Sequence, residues 1–344
     1  MDNIIFWNAR GAGSDKFSSA IQDLVKMHKV DVLIICEPRV QFAKAKKLLL
    51  NLGFSDFEIM ESEGFSGGIW MLWNKVRVDI DVIDSTFQSI TVKVCGVGNQ
   101  HWLLSGIYAS PCNTSRSTLW PYLDNLRRQH ALLWVLLGDF NELLSYADKI
   151  GGAPIRRFGG FQDWVCRSGV IDMGYQGADY TWATSWVKER LDRSFCTDEW
   201  RVLYPDACLV HLARMKSDHC PILLRLKPDS RHTRINTPFR FQAMWLQHHN
   251  FCNVVTDTWN GTTGNAIEKT KSPATTLSDC NRDVFGNIFR RKRRLLARIC
   301  GIQKNLGRNN NPFLQNLERD LISQHDQIRD AEAIFWKQKS REKW

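Results

Sequence analysis

The sequence predicts an α+β fold: a four-layer α/β sandwich, in which helices flank two packed mixed sheets, followed by a mainly helical tail. Two observations predict the sandwich. Over residues 1–227, short apolar runs of strand-like composition alternate with amphipathic stretches, and no glycine-rich dinucleotide-binding motif accompanies them. Strands and helices mixed in this way favour packed sheets covered by helices. The tail is predicted from apolar residues that recur at helical spacing after residue 284.

The strands are predicted from short, mainly apolar runs. Most of these runs are apolar on both faces, so we expect them to be buried. They are Ile4–Trp7, Val32–Cys36, Gly68–Trp73, Trp102–Tyr108, Leu132–Leu137 and Pro221–Leu226. Between Val78 and Val97 apolar and polar residues alternate, which predicts antiparallel strands facing a helical layer. Helical spacing predicts further elements at Phe17–Met27, Ala43–Leu52, Ser117–Arg128 and Phe161–Arg167.

A turn-rich segment, Lys227-Pro-Asp-Ser-Arg, follows the last predicted strand and predicts a domain boundary. We therefore divide the chain into a first domain, residues 1–227, and a connector, residues 228–344. Two long amphipathic helices, separated near Gly307–Pro312, are predicted at the end of the connector.

The remainder of the connector has two kinds of composition. Pro238–Trp245 is rich in aromatic residues, and Gly261–Thr276 is polar and loop-like. We predict no internal repeat and no extended low-complexity tract.

The net charge of +10 is concentrated in the connector. Residues 229–344 hold 20 Lys and Arg against 11 Asp and Glu, whereas residues 1–228 hold 26 against 25. This asymmetry predicts two segments with different roles, and a basic segment is typical of contact with a polyanion. A solvated helical face is the alternative. The hydrophobic fraction of 43% is far from the composition of a disordered chain, so we expect a packed core.

The sequence favours a nuclear or cytoplasmic protein that is not secreted and contacts no membrane. No apolar run approaches the roughly 20 residues of a membrane span. The first residues, MDNIIFWNARG, lack a basic region followed by a long apolar stretch, so no secretory signal is predicted. The 10 cysteines are scattered without a CxxC pair, which favours reduced thiols over disulfides or a zinc site.

A polar side chain stands at or beside the end of nearly every predicted strand. These residues are Asn8, Glu37, Tyr108, Asp139, Asn141, Asp192, Asp218 and His219. Singly, each has an ordinary structural explanation; Asp139, for example, precedes a Phe-Asn turn, where such residues are common. Together, apolar runs that each end in one polar residue predict a metal-dependent phosphodiesterase site at the rim of a sheet sandwich.

The ordered set of motifs resembles the endonuclease/exonuclease/phosphatase superfamily over about residues 3–227. Within it, the chain is most similar to the endonuclease domain of plant LINE-type (non-LTR) retrotransposon polyproteins. The motifs that carry this resemblance are WNARG, CEPR, GDFN followed by DKIGG, GADYTW, ERLDR and SDHCPILL. The tail resembles the connector before the reverse transcriptase in Phe239-Arg-Phe, Met244-Trp245, Val284-Phe285-Gly286 and the closing residues from Phe335-Trp336 to Trp344. The resemblance implies a truncated element, a fragment or a domesticated derivative that stops before the polymerase.

The resemblance implies a divalent-metal site with Mg²⁺, or Mn²⁺ as an alternative. Glu37 is expected to be the principal metal ligand, helped by Asn8, with Asp218 near the metal. Hard cations prefer oxygen ligands, and Mg²⁺ keeps several waters, so one or two carboxylates suffice. Asp139 is expected to orient and deprotonate the attacking water, and Asn141 to hold the phosphate.

The remaining expected roles concern phosphate contacts. His219 is expected to hydrogen-bond a phosphate oxygen as an imidazolium, which requires a carboxylate behind the ring. Asp192 is the expected partner, because adjacent side chains such as Asp218 and His219 point to opposite faces of a strand. Tyr108 is expected to offer its phenol to the phosphate.

Four residues are candidates for contact with a nucleic-acid substrate. Thr181, within GADYTW, is the candidate contact near the cleaved phosphate. Arg10 and Arg193 are candidates for electrostatic contact with the nucleic-acid backbone, as is Arg39. Pro38-Arg39 departs from the Thr-Lys of many relatives, which puts the contacts of that loop in doubt.

The function implied is that of an Mg²⁺-dependent DNA endonuclease, which nicks one strand and leaves a 3′-hydroxyl, as in target-primed retrotransposition. Two alternatives stay open: a superfamily phosphatase for small phosphoesters, and a non-catalytic nucleic-acid-binding relic of a retroelement. The basic run Arg290-Arg-Lys-Arg-Arg294 allows nuclear import, contact with nucleic acid (including RNA) or a solvated helical face. The oligomeric state is left open.

Overall fold

A computed structural model describes residues 1–62, 67–95, 100–154, 160–227, 251–261, 288–308 and 311–341. Several predicted features of the connector lie outside the described residues. They are the turn after Lys227, the aromatic-rich Pro238–Trp245, nearly all of the polar Gly261–Thr276, the Val284-Phe285-Gly286 motif and the side chains from Phe335 to Trp344.

Two mixed six-stranded sheets form the centre of the fold. The first has the strand order β14-β15-β1-β2-β4-β3, and the second has the order β10-β13-β8-β7-β6-β5. Strands of the first sheet are β1 (Asn3–Asn8), β2 (Val32–Cys36), β3 (Asp56–Met60), β4 (Ile69–Trp73), β14 (Cys208–His211) and β15 (Ile222–Arg225). Strands of the second are β5 (Ile80–Thr86), β6 (Ser89–Cys95), β7 (His101–Tyr108), β8 (Leu133–Asp139), β10 (Ile171–Asp172) and β13 (Asp192–Cys196). A small third sheet joins β11 (Trp182–Ala183), β12 (Lys188–Glu189) and β9 (Lys149–Ile150).

Among the described residues up to 227, the α-helices are, in chain order, α1 (Asp15–His28), α2 (Phe42–Asn51), α3 (Asn113–Ser117), α4 (Leu119–Gln129), α5 (Gly160–Ser168) and α6 (Asp198–Leu203). Helices α1 and α2 cover the outer face of the first large sheet, and α4 and α5 cover that of the second. Trp200 of α6 instead packs with the residues between the two sheets. Ser14 caps α1 by accepting a hydrogen bond from the Phe17 amide, and Thr197 caps α6 in the same way through Trp200.

Three apolar clusters hold the layers together. One lies between the two sheets, and the other two lie between each sheet and its helices. Strand β2 shows the division: Ile34 faces the other sheet, whereas Leu33 and Ile35 face α1 and α2. Successive side chains of a strand point to opposite faces, so a run that is apolar at every position can serve two clusters. This layering confirms the predicted four-layer sandwich.

All of the predicted strands are present, and the alternating segment after Val78 forms the antiparallel pair β5 and β6. The prediction that these strands face a helical layer is wrong for β6, because Ile90, Val92 and Val94 face the other sheet. The helix predicted over Ser117–Arg128 is interrupted at Thr118, which ends α3 and precedes α4. Strands β3, β13 and β14 and the four two-residue strands β9 to β12 were not predicted. Strand β13 reads Asp-Arg-Ser-Phe-Cys, a polar sequence that is buried only because it lies beside β8.

The chain divides into two compact units. The first consists of Met1–Asp229 and the short segment Gln303–Asn309, and the remaining residues form the second. The predicted boundary, between residues 227 and 228, lies beside this division and stays a prediction.

Beyond residue 250 the described residues are helical. They form α7 (Phe251–Gly261), α8 (Ile288–Arg308) and α9 (Pro312–Arg341), and the last two match the two long helices predicted around Gly307–Pro312. Within the basic run, Lys292 is buried and forms a 2.7 Å ion pair with Glu332 of α9. This lysine therefore joins α8 to α9 and is not part of a solvated basic face.

Membrane-spanning helices and disulfides can be looked for in the described part of the chain. No helix there is long and apolar enough to span a membrane. No disulfide joins the cysteines there.

Candidate active site

The strand topology brings the predicted polar residues to one rim of the sandwich. Strands β1 and β2 are parallel, with Asn8 opposite the residue before Glu37, and β7 and β8 are parallel, with Tyr108 opposite Asp139. Strand β13 is antiparallel to β8, so its first residue, Asp192, also lies opposite Asp139. The carboxyl ends of the parallel strands and the amino end of β13 thus meet at the same edge.

His219 lies between two buried carboxylates. Its Nδ1 is 2.9 Å from Asp192 Oδ2, and its Nε2 is 3.8 Å from Asp139 Oδ2. The neighbouring Asp218 turns away and instead accepts a hydrogen bond from Trp182 Nε1 at 2.8 Å. The carboxylate behind the imidazole is therefore that of Asp192.

The burial of these groups shifts two pKa values. Burial raises the pKa of Asp139 well above its usual range, and the Asp192 carboxylate raises it further. Burial lowers the pKa of His219, but the nearby Asp192 and Asp139 carboxylates outweigh this effect and raise it to about 9. His219 is thus held as an imidazolium at neutral pH. Asp139 has the elevated pKa that suits a group accepting a proton from water.

Glu37 is surrounded by hydrogen-bond donors. Its carboxylate accepts hydrogen bonds from Asn8 Nδ2 at 3.0 Å, Arg39 at 2.7 Å and the Tyr108 hydroxyl at 3.2 Å, and Arg10 Nε lies 3.6 Å away. Burial raises the pKa of Glu37, but these donors, Asn8 first, outweigh it and hold the pKa below its usual range. Glu37 is therefore a carboxylate at neutral pH.

Asn8 connects the two sheets at the site. Its Nδ2 donates to Glu37 Oε1 and to Asp139 Oδ2, each at 3.0 Å, while its Oδ1 accepts from the Arg10 amide at 3.3 Å. In this orientation the amide presents its NH₂ group to both carboxylates. Asn8 would offer an oxygen to a cation near Glu37 only with the amide turned over.

Tyr108 and Asn141 each contact protein groups at the rim. The Tyr108 hydroxyl points to Glu37, and burial followed by the Glu37 charge raises its pKa, so it acts as a hydrogen-bond donor. Asn141 has a positive φ of 47°, and its Nδ2 donates to the Ala109 carbonyl at 2.8 Å. Its backbone amide donates to Asp139 Oδ1 at 2.9 Å. Asn141 therefore orients the Asp139 carboxylate in this structure.

The loops that follow β1 and β2 lie side by side at the site. The Ala9, Gly11 and Ala12 amides donate to the carbonyls of Cys36, Glu37 and Pro38. Positive φ angles occur at Arg10 (45°), Glu37 (49°) and Arg39 (54°). Such angles are uncommon for residues other than glycine and cluster at functional sites. In this arrangement Arg10 and Arg39 both lie beside the Glu37 carboxylate.

Thr181, the predicted contact near the cleaved phosphate, is a buried structural residue in this structure. Its side chain is fully buried, and its Oγ1 accepts hydrogen bonds from the Leu191 and Asp192 amides, each at 3.0 Å. Its carbonyl accepts from the Cys220 amide at 2.8 Å. Thr181 therefore joins the segments that carry Asp192 and His219 and is not exposed to a substrate.

Arg193, the predicted contact with the nucleic-acid backbone, is also buried. Its side chain is 1% exposed and forms ion pairs with Asp148 at 2.6 Å and Asp172 at 2.9 Å. Arg190 forms a further pair with Asp172 at 2.8 Å. Sequence analysis missed this buried cluster, because side chains that alternate on the polar strand β13 could equally have faced solvent.

Two groupings of side chains could hold a metal ion. Asp139, Asp192 and His219 offer ligand atoms within 4.8 Å of one another, but a cation bound there would break the His219–Asp192 hydrogen bond. Glu37 and Asp218 offer oxygen ligands, and both already contact the positive guanidinium of Arg10. The second grouping fits a hard cation such as Mg²⁺ better, because such ions prefer oxygen.

The chain is similar in structure to several nucleases and a phosphatase. An AP endonuclease from Leishmania major matches with a TM-score of 0.52 and 16% identity, over 65% of this chain and 86% of that chain. The endonuclease domain of TRAS1, a telomere-specific non-LTR retrotransposon, matches with a TM-score of 0.48 and 14% identity, over 67% of this chain and all of that domain. A 3′ phosphatase from Neisseria, bound to a product DNA hairpin, matches with a TM-score of 0.49 and 17% identity, over 65% of this chain and 99% of that chain. At these identities the likeness shows the fold alone.

No curated protein sequence matches the chain. The sequence model of the endonuclease/exonuclease/phosphatase family, however, matches residues 5–219. This range contains every candidate site residue at the rim and covers more than half of the chain. The resemblance drawn from the motifs is thereby confirmed at the level of the family. The chain belongs to the endonuclease/exonuclease/phosphatase family.

Proposed function

We propose that the protein is an Mg²⁺-dependent DNA endonuclease, which hydrolyses one phosphodiester bond and leaves a 3′-hydroxyl. Members of its family are hydrolytic nucleases and phosphatases and typically use divalent metals. The observation that carries the proposal is the assembled set of Asp139, His219 and Asp192. Glu37 is joined to this set because the Asn8 NH₂ group donates hydrogen bonds to both Glu37 and Asp139. Glu37 is a carboxylate and His219 an imidazolium at neutral pH, and both charges suit the hydrolysis of a phosphodiester.

Glu37 and Asp218 would hold the metal ion, with Mn²⁺ as a substitute, and Asn8 would join them if its amide turned over. When bound, Mg²⁺ neutralises charge on the scissile phosphate. The chain's own residues perform the remaining steps. Asp139 orients the attacking water and accepts its proton, for which its raised pKa is suited. The Asn141 amide keeps the Asp139 carboxylate in position.

His219 would donate a hydrogen bond from Nε2 to a phosphate oxygen. Its Nδ1 is held by Asp192, which fixes the ring and stabilises the imidazolium. Tyr108 would add a second donor beside Glu37. One donor that acts mainly in the transition state contributes about 2.7–4 kcal/mol.

DNA is the proposed substrate because the chain combines this site with a net charge of +10. Contact of the connector with RNA and a nuclear or cytoplasmic location are further proposals. Target-primed retrotransposition, as in the LINE-type elements that the motifs resemble, is the proposed context in which the 3′-hydroxyl serves as a primer.

Nicking of supercoiled plasmid tests the proposal. The purified chain should relax the plasmid in Mg²⁺, EDTA should abolish the reaction, and Asp139→Asn and His219→Ala should each lower the rate by at least about 100-fold. Extension of the nick by a DNA polymerase, without prior end repair, should show the 3′-hydroxyl. Wild-type protein that is folded and binds the plasmid, yet nicks no faster than the variants, would overturn the catalytic proposal and favour a binding relic.

A parallel assay separates the endonuclease from a small-molecule phosphatase. The same preparations are offered inositol phosphates and p-nitrophenyl phosphate. Release of phosphate from these compounds without plasmid nicking would assign the site to phosphomonoesters.

A further inference from the structure

Arg10 occupies the place between the two carboxylates that would hold a metal ion. Its NH1 contacts Asp218 Oδ2, and its Nε lies 3.6 Å from Glu37 Oε2. Arg39 also contacts Glu37, at 2.7 Å, but among the described residues it forms no ion pair with Asp218. Arg10 therefore holds both carboxylates with one guanidinium.

The backbone builds this arrangement into the fold. Arg10 adopts a left-handed φ of 45°, and the next residue donates its amide to the Glu37 carbonyl at 2.9 Å. The chain thus fixes the start of the Arg10 side chain beside Glu37 at some cost in backbone strain. The far end is less constrained, because the side chain is 42% exposed. It can leave the carboxylates without moving the loop.

A guanidinium and a divalent cation cannot share this position. Two positive charges a few ångströms apart repel each other strongly in a partly buried site. We propose that Arg10 is a built-in counter-cation of the metal site: it neutralises Glu37 and Asp218 in the metal-free protein, and a divalent ion displaces it. Arg10 thereby lowers the affinity of the site for metal.

The displaced side chain has a second use, and this step rests on the proposed function. Once released, the Arg10 guanidinium lies at the rim, beside the bound metal, where it can contact a phosphate of the DNA. Metal and DNA binding are then coupled, because each favours the released position of the same side chain.

Calorimetric titration with Mn²⁺ tests the first step without reference to activity. Arg10→Met should bind Mn²⁺ about fivefold more tightly than wild type, which is the size expected for a half-exposed ion pair. Arg10→Lys, which keeps the charge, should stay near wild type. Arg77→Met is the matched control, because Arg77 is an exposed arginine paired with Asp31 outside the site; its affinity should not change.

Other results of this titration would contradict the proposal. Unchanged or weaker binding by folded Arg10→Met would show that the guanidinium does not compete with the metal. A larger gain for Arg39→Met than for Arg10→Met would assign the competition to Arg39. Each result stands whether or not the protein nicks DNA, so failure of this inference and failure of the proposed function are distinguishable.

The salt dependence of DNA binding tests the second step. In an Asp139→Asn background, which prevents cleavage, log Kd for a DNA duplex is measured against log salt concentration. Loss of one phosphate contact lowers the slope by about 0.9. Adding Arg10→Met should lower it by this amount in Mg²⁺ and leave it unchanged in EDTA. An equal change in both conditions, or none in either, would overturn the coupling.

Discussion

Thr181 shows how a buried hydroxyl can position a candidate active site without touching the substrate. Its Oγ1 accepts hydrogen bonds from the Leu191 and Asp192 amides at the start of β13. The Asp192 carboxylate in turn contacts His219. Valine has almost the same shape as threonine but cannot accept a hydrogen bond. The substitution would therefore leave two buried amides without their acceptor.

We expect Thr181→Val to lower the free energy of unfolding by about 1–3 kcal/mol and to reduce the nicking rate. Thr181→Ser, which keeps the acceptor, should retain most of both. Denaturant unfolding and plasmid relaxation measure these effects. If Val and Ser variants behave alike, the hydroxyl does not position Asp192.

The charge of His219 should depend on Asp192. The pKa of His219 is raised to about 9, above the ordinary value of about 6.5. Since the folded-state pKa is the higher one, the stabilisation is fully present below about pH 6.5 and is lost as the pH rises through about 9. Asp192→Asn should lower the pKa of His219 and remove most of this stabilisation, on the order of 3 kcal/mol at pH 6.

An NMR titration of the His219 imidazole measures this change, and unfolding at pH 6 and pH 10 measures its energetic effect. The stability gap between wild type and Asp192→Asn should narrow at the higher pH. Asp124→Asn, which alters a carboxylate paired with Arg167 on the far side of the second sheet, should leave the titration unchanged. If Asp192→Asn leaves the pKa of His219 unchanged, Asp192 does not stabilise the imidazolium.

At the scale of elements, the parallel pair β7 and β8 explains the glycine of the GDFN motif. A Cβ on Gly138 would lie 2.1 Å from the Ile107 carbonyl oxygen, so a side chain there would push apart the strands that end in Tyr108 and Asp139. Gly138→Ala should cost about 3 kcal/mol or more. Gly301→Ala is the control: a Cβ there meets nothing within 4 Å in α8, and the change should stabilise by up to about 1 kcal/mol.

Denaturant unfolding of both variants measures these effects. Equal stability of Gly138→Ala and wild type would show that β7 and β8 can separate without cost.

Strand β13 is held by the ion pairs of Arg193. Removing a partner from a buried pair is strongly destabilising, by about 3–5 kcal/mol, because the remaining charge is uncompensated. We expect Arg193→Ala to lose stability of this order, since Asp148 and Asp172 would both lose a partner. The salt dependence of DNA binding by the folded fraction should not change. If Arg193→Ala lowers the dependence of log Kd on log salt concentration, Arg193 contacts the DNA backbone.

At the scale of the whole molecule, the candidate site exists only where the two sheets pack together. Glu37 and Asp218 come from the first sheet and its edges, whereas Asp139 and Asp192 come from the second. Hydrogen bonds of Asn8, Tyr108 and His219 link them. A ligand that binds this site should therefore stabilise the packing of both sheets.

Mg²⁺ should raise the free energy of unfolding by about 2.7 kcal/mol at a concentration 100-fold above its Kd. Glu37→Gln should lose most of this gain. Glu58→Gln is the control, because Glu58 accepts from Ser85 away from the site and should keep the full gain. Thermal unfolding in Mg²⁺ and in EDTA measures the difference, and an equal response of Glu37→Gln and wild type would remove Glu37 from the metal site.

The sequence by itself determined the layered fold, and it predicted which polar residues would form the site. Runs such as Val32–Cys36 are apolar at every position, and only a strand between two apolar layers satisfies both faces. Asp192 was also predicted as the partner of His219, because the family resemblance implied it and adjacent side chains of a strand point to opposite faces. These inferences depend on local periodicity, which the sequence displays directly.

Only the tertiary structure decided which polar side chains face the substrate and which are buried. Arg193 and Arg10 each lie next to a motif residue in the sequence. Arg193 is nevertheless buried between two carboxylates, whereas Arg10 is partly exposed and contacts two candidate metal ligands. Thr181 likewise faces inward because β13 passes beneath it. The physical reason is that the energy of a polar group is set by the partners that meet it in space, and those partners come from distant parts of the chain.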